Sequence, residues 1–255
     1  MITQASFRHP VLEHMSGPAE PAVDLVVFPG AGCGPGFYSP WVAHLPATWR
    51  MTGVCLPGRG RRYDDEVFSG LPDAAAEVVR ALERSGLVRP LLFGHSMGAV
   101  LALETAVRTD ADTVFTAACA PPGPATAAEY QGIDEEAVRD DARELARTLG
   151  VDDEEVLDDL VELTAPTLLA DLAMLARYAP PDGRVAADIV SYYGSADDVE
   201  PLPWTARTSG AARTARFPGD HFFPRHHPRS LIRDMSARLG HRASPPAGDE
   251  VGEYR

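Results

Sequence analysis

The ten residues LLFGHSMGAV at positions 91–100 constrain the fold more than any other part of this 255-residue sequence. Their apolar start is typical of a buried strand, and the apolar residues after Gly98 are typical of a helix. The pentapeptide Gly94-His95-Ser96-Met97-Gly98 between them fits the G-x-S-x-G pattern of a sharp turn that carries a nucleophilic serine, although an ordinary strand–helix turn remains the alternative. The sequence therefore predicts that Ser96 projects its hydroxyl from the carboxyl edge of a parallel sheet, above the positive end of a helix dipole.

Short, continuously apolar runs on both sides of this turn predict further strands that are buried on both faces. They lie at residues 25–28, 51–56, 113–119, 186–193 and 211–217. Ala, Val and Leu at helical spacing predict a helix over residues 73–85, between two of these strands. This alternation predicts an α/β fold with a mostly parallel central sheet flanked by helices.

Residues 124–183 interrupt the alternation of strands and helices. Three helical stretches are predicted there, at 133–149, 152–163 and 166–178, with proline at the boundary between the last two. We therefore expect residues 1–123 and 184–240 to form the core and residues 124–183 to form an inserted helical lid. The stretch 241–255 is rich in Pro, Gly and charge, which predicts a disordered tail.

Charge and cysteine content limit the partners and the compartment. The formal net charge is -14, and every basic residue is an arginine, which argues against a nucleic-acid partner. The three cysteines lie in or beside apolar segments and are expected to be core residues in a reducing compartment. There is neither a signal-peptide pattern nor an apolar run of membrane-spanning length, so we expect a cytoplasmic protein with no membrane contact.

A glycine-rich loop at residues 29–36 follows the first predicted parallel strand. A flexible connector is one interpretation, and phosphate binding is disfavoured because no Gly-Lys-Ser/Thr ending is present. In serine hydrolases that use the sharp turn described above, a loop at this position supplies a backbone N–H group to the oxyanion hole. Ala31, between Gly30 and Gly32, is the expected donor.

A serine hydroxyl requires a base within hydrogen-bonding reach, and that base requires a group that holds its tautomer. His221 is the favoured base because it follows a late strand and precedes an aromatic pair. Asp197 and Asp198 both lie in the loop after the preceding strand, and Asp197 is preferred as the acid. Surface turn carboxylates are the alternative for both aspartates.

Five motifs, in order along nearly the whole chain, carry a resemblance to a known family. They are Phe28-Pro29-Gly30-Ala31-Gly32, Leu56-Pro57-Gly58-Arg59, Phe93-Gly94-His95-Ser96-Met97-Gly98-Ala99, Gly194-Ser195-Ala196-Asp197 and Gly219-Asp220-His221-Phe222-Phe223. The chain resembles the type II thioesterases that accompany polyketide synthases and nonribosomal peptide synthetases, which have an α/β-hydrolase fold.

The resemblance implies a thioesterase that removes acyl groups from the phosphopantetheine arm of acyl or peptidyl carrier proteins, in editing or product release. It implies a Ser96-His221-Asp197 triad, an oxyanion hole formed by the N–H groups of Ala31 and Met97, and no metal or other cofactor. A monomer is expected. A serine esterase or lipase, an acyltransferase or cyclase, and a non-catalytic scaffold are the alternatives.

The loop that follows the strand at 51–56 is basic within an acidic chain. Arg59, Arg61 and Arg62 lie in it, and solvated surface charge is the default interpretation. The alternative is a local positive rim that binds an anionic carrier protein, because guanidinium groups match phosphate and carboxylate geometry.

Overall fold

The structure, a computed structural model, describes residues 10–87, 89–240 and 252–253. A sheet of eight strands forms its centre. The strands are β1 (Leu12–Ser16), β2 (Val23–Phe28), β3 (Trp49–Val54), β4 (Leu91–His95), β5 (Thr113–Ala117), β6 (Asp188–Gly194), β7 (Ala212–Phe217) and β8 (Gly252–Glu253). Their spatial order is β1-β3-β2-β4-β5-β6-β7-β8. Only β1, paired with β3, runs antiparallel among these strands, so the carboxyl ends of the others meet at one edge.

Helices cover both faces of the sheet. They are α1 (Leu71–Ser85), α2 (Met97–Ala106), α3 (Pro124–Glu129), α4 (Glu135–Thr148), α5 (Glu154–Ala176), α6 (Phe223–His226) and α7 (Pro228–Gly240). Residues of α1, α2 and α5 pack into one apolar core, and α7 packs with the 3-10 helix Pro35–His44 into the other. The predicted α/β-hydrolase architecture is confirmed. Among the helices of the described residues, none is long and apolar enough to cross a membrane.

The insertion between β5 and β6 differs in detail from the prediction. A helix break at Pro166 was expected, but α5 continues through this proline. A proline inside a helix costs about 3 kcal/mol. Buried residues lie on both sides of it in α5, so packing of the helix holds the two halves in line: Leu157, Val161, Ala165, Leu168, Leu172 and Leu175. That residues 124–183 act as a lid on a separate core stays a prediction.

Two further expectations concern the termini and the cysteines. The predicted tail at 241–255 lies outside the described residues, except for β8, whose backbone pairs with β7. Cys33, Cys55 and Cys119 are all buried and free, as predicted.

Helix α2 packs against the sheet at a distance that only glycine permits. All ten of its residues are buried. A Cβ atom at Gly98 would lie 2.0 Å from the carbonyl oxygen of Phe28, and one at Gly94 would lie 2.2 Å from the carbonyl oxygen of Gly98. Because both contacts are with backbone, no side-chain rotation would relieve them. The two glycines therefore allow the backbones of β2, β4 and α2 to meet directly.

We expect Gly98→Ala to lower the free energy of unfolding by about 2 kcal/mol or more, because the added methyl group overpacks a backbone contact. The matched control is Gly36→Ala, whose Cβ would meet nothing within 4 Å. Urea denaturation of both variants tests this expectation. Equal stability of the two variants would contradict it.

Candidate active site

Ser96 lies in a strained turn between β4 and α2. Its φ is 53° and its ψ is -123°, a conformation that non-glycine residues rarely adopt. The turn is held by hydrogen bonds from the Ser96 amide to the carbonyl oxygen of Ala117 (2.8 Å) and from the Ala99 amide to the carbonyl oxygen of Ser96 (2.9 Å). Among the described residues, the Ser96 hydroxyl has no hydrogen-bond partner. The serine is therefore fixed by its backbone, and its side chain is available at the carboxyl edge of the sheet.

His221 and Asp197 are brought into contact by two loops that follow β7 and β6. The Nδ1 atom of His221 lies 3.2 Å from Oδ1 of Asp197, whose side chain is 2% exposed. The loops are joined by backbone hydrogen bonds, from Ser195 to Phe217 and from Ala196 to Gly219, both 2.8 Å. This contact favours Asp197 over Asp198.

The electrostatic balance at Asp197 favours its ionised form. Burial by itself would raise the pKa of this carboxyl group. The hydrogen bond and the charge of His221, together with the Val199 amide, outweigh burial and hold the pKa below its ordinary value. A carboxylate at this position accepts a hydrogen bond from the Nδ1–H group of His221 and so favours the tautomer whose Nε2 carries no proton.

His95 is a structural neighbour of the site. It is buried, its ring stacks on Phe37 at 5.5 Å, and its Nε2 lies 2.8 Å from the backbone oxygen of His221. Because a carbonyl oxygen only accepts, Nε2 must carry the ring proton. Burial, followed by the proximity of the His221 ring, lowers the pKa of His95 to about 3. His95 therefore holds the His221 backbone as a neutral side chain.

The glycine-rich loop packs directly against the turn that holds Ser96. A Cβ atom at Gly30 would lie 3.3 Å from Nδ1 of His95 and 3.5 Å from Cβ of Ser96. Ala31, the next residue, lines the same cavity as Ser96. The Met97 amide is the first of α2, and the first amides of a helix have no acceptor within that helix. Their roles as oxyanion donors stay predictions.

A cavity of about 700 Å³ contains Ser96, Asp197 and His221 in its wall. Part of the wall is apolar and comes from the insertion, with Leu145, Leu168 and Leu172. Besides Asp197, six carboxylate side chains line the cavity: Glu129, Asp141, Glu144, Asp198, Glu200 and Asp220. No arginine is found among the described residues that line it, so the cavity carries negative charge.

Part of the prediction that the arginines of the basic loop form a partner-binding rim is wrong. Arg62 is fully buried and pairs with Asp65 at 2.8 Å and Glu77 at 3.3 Å. Arg59 is 8% exposed and pairs with Asp171 at 2.7 Å. These two arginines compensate buried carboxylates, so the prediction that they face a partner is wrong. Arg61, 69% exposed, remains a candidate.

Sequence reasoning missed Asp171, which accepts hydrogen bonds from Arg59 and from the Gly32 amide of the glycine-rich loop. The signal was an aspartate within the otherwise apolar stretch 168–175, where solvation does not explain a charge. Among the described residues, no group of three or more His, Cys, Asp or Glu side chains is arranged to hold a metal ion.

Residues 23–239 match the thioesterase domain family. The thioesterase TesA of Mycobacterium marinum is 30% identical over 227 residues, which are 84% of this chain and 90% of that protein. A probable cadicidin biosynthesis thioesterase of Streptomyces griseus is 30% identical over 242 residues, 90% of this chain and 66% of that protein.

Solved structures show the same architecture. The thioesterase RedJ from the prodiginine pathway of Streptomyces coelicolor is similar with a TM-score of 0.71 and 29% identity, covering 91% of this chain and 92% of that chain. The type II thioesterase BorB from the borrelidin biosynthetic cluster is similar with a TM-score of 0.77 and 24% identity, covering 91% of this chain and 99% of that chain. At that identity, the likeness to BorB shows the shared fold.

We expect His95 to make folding stability depend on pH. The unfolded chain takes up a proton at His95 as the pH falls through about 6.5, whereas the folded chain does so only near 3, so stability is lost as the pH falls within this window. Between pH 7.5 and 5.0, the wild type should lose about 2 kcal/mol more than His95→Gln. Denaturant titrations at both pH values test this, and an identical pH dependence of the two proteins would contradict it.

Proposed function

The chain belongs to the thioesterase family, and we propose that it hydrolyses acyl groups held as thioesters on the phosphopantetheine arm of an acyl or peptidyl carrier protein. It is a hydrolytic thioesterase with the α/β-hydrolase fold, similar to type II thioesterases of polyketide and nonribosomal peptide pathways. One observation carries the proposal: the Asp197–His221 pair lines the cavity onto which Ser96 opens.

In the proposed acylation step, His221 takes the hydroxyl proton of Ser96 while Oγ forms a bond to the thioester carbonyl carbon. The carbonyl oxygen becomes an oxyanion, which the N–H groups of Ala31 and Met97 would bind. When the C–S bond breaks, His221 returns the proton to the leaving thiolate. Support for this route comes from the paired His221 and the ionised state of Asp197.

Deacylation repeats the same proton transfers with water. His221 takes a proton from water, the resulting hydroxide attacks the acyl-Ser96 ester, and the carboxylic acid leaves as Oγ regains the proton. These steps use only this chain and water, so we propose that no metal or organic cofactor takes part. Because a thiolate is already a good leaving group, the catalytic demand falls on the oxyanion hole and on orientation.

The relatives guide the proposed partner and compartment. RedJ and BorB come from biosynthetic pathways or clusters, and the Streptomyces griseus relative is described as a biosynthesis thioesterase, which supports a carrier-protein partner. We propose that the enzyme acts as a monomer in the cytoplasm, where its three buried thiols remain reduced. Mass spectrometry of a panel of acyl-carrier proteins, before and after exposure to the enzyme, tests this substrate class. Faster cleavage of the matching oxygen ester would favour an esterase instead.

We expect Asp197→Asn to lower kcat by about 100-fold or more, because an amide neither holds the His221 tautomer nor stabilises its imidazolium form. The matched control is the neighbouring Asp198→Asn, which removes the same charge without touching His221 and should retain kcat. Steady-state hydrolysis of an acyl-carrier substrate measures both. Similar losses in the two variants would refute the assignment of Asp197.

We expect Arg61→Glu to raise KM for a carrier-bound acyl group at least about threefold, while KM for a free N-acetylcysteamine thioester stays unchanged. The reason is that an exposed arginine can contact the surface of the carrier protein, which the free thioester lacks. The matched control is Arg84→Glu, an exposed arginine on α1 outside the cavity wall. Equal effects on both substrates would exclude Arg61 from carrier recognition.

A further inference from the structure

A buried ion pair joins the loop after β3 to helix α5. Nη1 and Nη2 of Arg59 lie 2.7 and 2.8 Å from the two carboxylate oxygens of Asp171, so the pair is bidentate. The side chains are 8% and 1% exposed. Replacing such a pair with apolar residues is often neutral or stabilising, so stability alone gives little reason for its presence.

Both members of the pair also contact the glycine-rich loop. Oδ2 of Asp171 accepts a hydrogen bond of 2.8 Å from the Gly32 amide. Nη1 of Arg59 donates one of 3.2 Å to the carbonyl oxygen of Cys33. The Arg59–Asp171 ion pair therefore binds two consecutive residues of the loop, Gly32 and Cys33.

The loop has the geometry of a tight turn. The Cys33 amide donates to the carbonyl oxygen of Gly30 at 3.0 Å, and Gly32 has a φ of +70°. A positive φ at the third residue is typical of a type II turn, in which Ala31 and Gly32 share the central peptide. Asp171 binds the N–H of this central peptide and prevents it from rotating. Among the described residues, the Ala31 amide has no hydrogen-bond acceptor and remains available for a ligand.

Helix α5 provides a rigid support for Asp171. The Thr167 hydroxyl donates to the carbonyl oxygen of Gly58 at 2.8 Å, one turn before Asp171. At the end of the helix, the Tyr178 hydroxyl donates to the buried carboxylate of Glu104 in α2. A Cβ atom at Gly32 would lie 3.3 Å from Cβ of Leu168, so the helix packs directly against the turn.

We propose that Asp171 is a positioning residue for the oxyanion hole. Asp171, oriented by Arg59, fixes the peptide between Ala31 and Gly32, and the fixed turn aims the Ala31 N–H at the carbonyl oxygen that Ser96 attacks. The insertion helix thereby shapes the transition-state site as well as the cavity wall. This inference rests on the proposed function, because it takes Ser96 as the nucleophile.

The test compares Asp171→Asn and Arg59→Lys with the wild type. In Asp171→Asn an amide NH₂ replaces one acceptor, so kcat for a free N-acetylcysteamine thioester should fall by about 10- to 100-fold with KM nearly unchanged. The rate of Ser96 modification by a fluorophosphonate should fall in parallel, since this reaction also uses the oxyanion hole. Arg59→Lys keeps the carboxylate on the Gly32 amide and should give a smaller loss of kcat.

Glu77→Gln is the matched control for the loss of a buried ion pair. It weakens the Arg62–Glu77 contact in the same region without touching the glycine-rich loop, so melting temperature should fall while kcat is retained. The inference would be overturned if Asp171→Asn had the same kcat as Glu77→Gln. It would also be overturned if Asp171→Asn raised KM without lowering kcat. If Asp171→Asn does not fold, wild-type kcat in Arg59→Lys would overturn it equally.

The outcome also separates this inference from the proposed function. A wild-type enzyme that neither cleaves thioesters nor reacts with the fluorophosphonate would refute the proposed function itself. A reactive wild type with an equally reactive Asp171→Asn variant would refute only the role of Asp171.

Discussion

The contact between the backbones of β2 and α2 at Gly98 determines the geometry of the whole site. Because Gly98 carries no side chain, α2 can lie against the Phe28 carbonyl group of β2, while Ser96 alone separates the end of β4 from the start of α2. That residue, Ser96, takes a positive φ, and its conformation is stable only because the packed backbones on both sides hold it. The strain places the serine side chain at the edge of the sheet, where the other loops converge.

The remaining site groups are positioned by hydrogen bonds between loops rather than by their own elements. The loops after β6 and β7 are joined through Ser195 and Ala196, which brings the Asp197 carboxylate to the ring of His221. Neutral His95 also donates a hydrogen bond to the His221 backbone oxygen. Parallel strands make this convergence possible, because their carboxyl ends lie along one edge.

Arginine has two separate tasks in this acidic protein. On the surface of the insertion, Arg139, Arg143 and Arg147 of α4 pair with carboxylates of α5 at successive turns. These exposed pairs are screened by solvent and contribute little to stability. The buried Arg59 and Arg62 instead compensate interior carboxylates, and Arg59 connects α5 to the glycine-rich loop. The insertion is thus attached to the core through its second long helix.

The sequence by itself predicted strands β2 to β7 and the sharp turn at Ser96, because these features follow from local patterns of apolar residues and glycine. It predicted the loop at Ala31 for the same reason. Other features depended on contacts between distant parts of the chain, which no local pattern records. Only the tertiary structure decided that α5 continues through Pro166, where buried neighbours outweigh a local propensity. The default interpretation of Arg59 from the sequence was a surface charge. The tertiary structure shows that it is buried against Asp171 of α5, because the burial of a charge depends on where its partner lies in space.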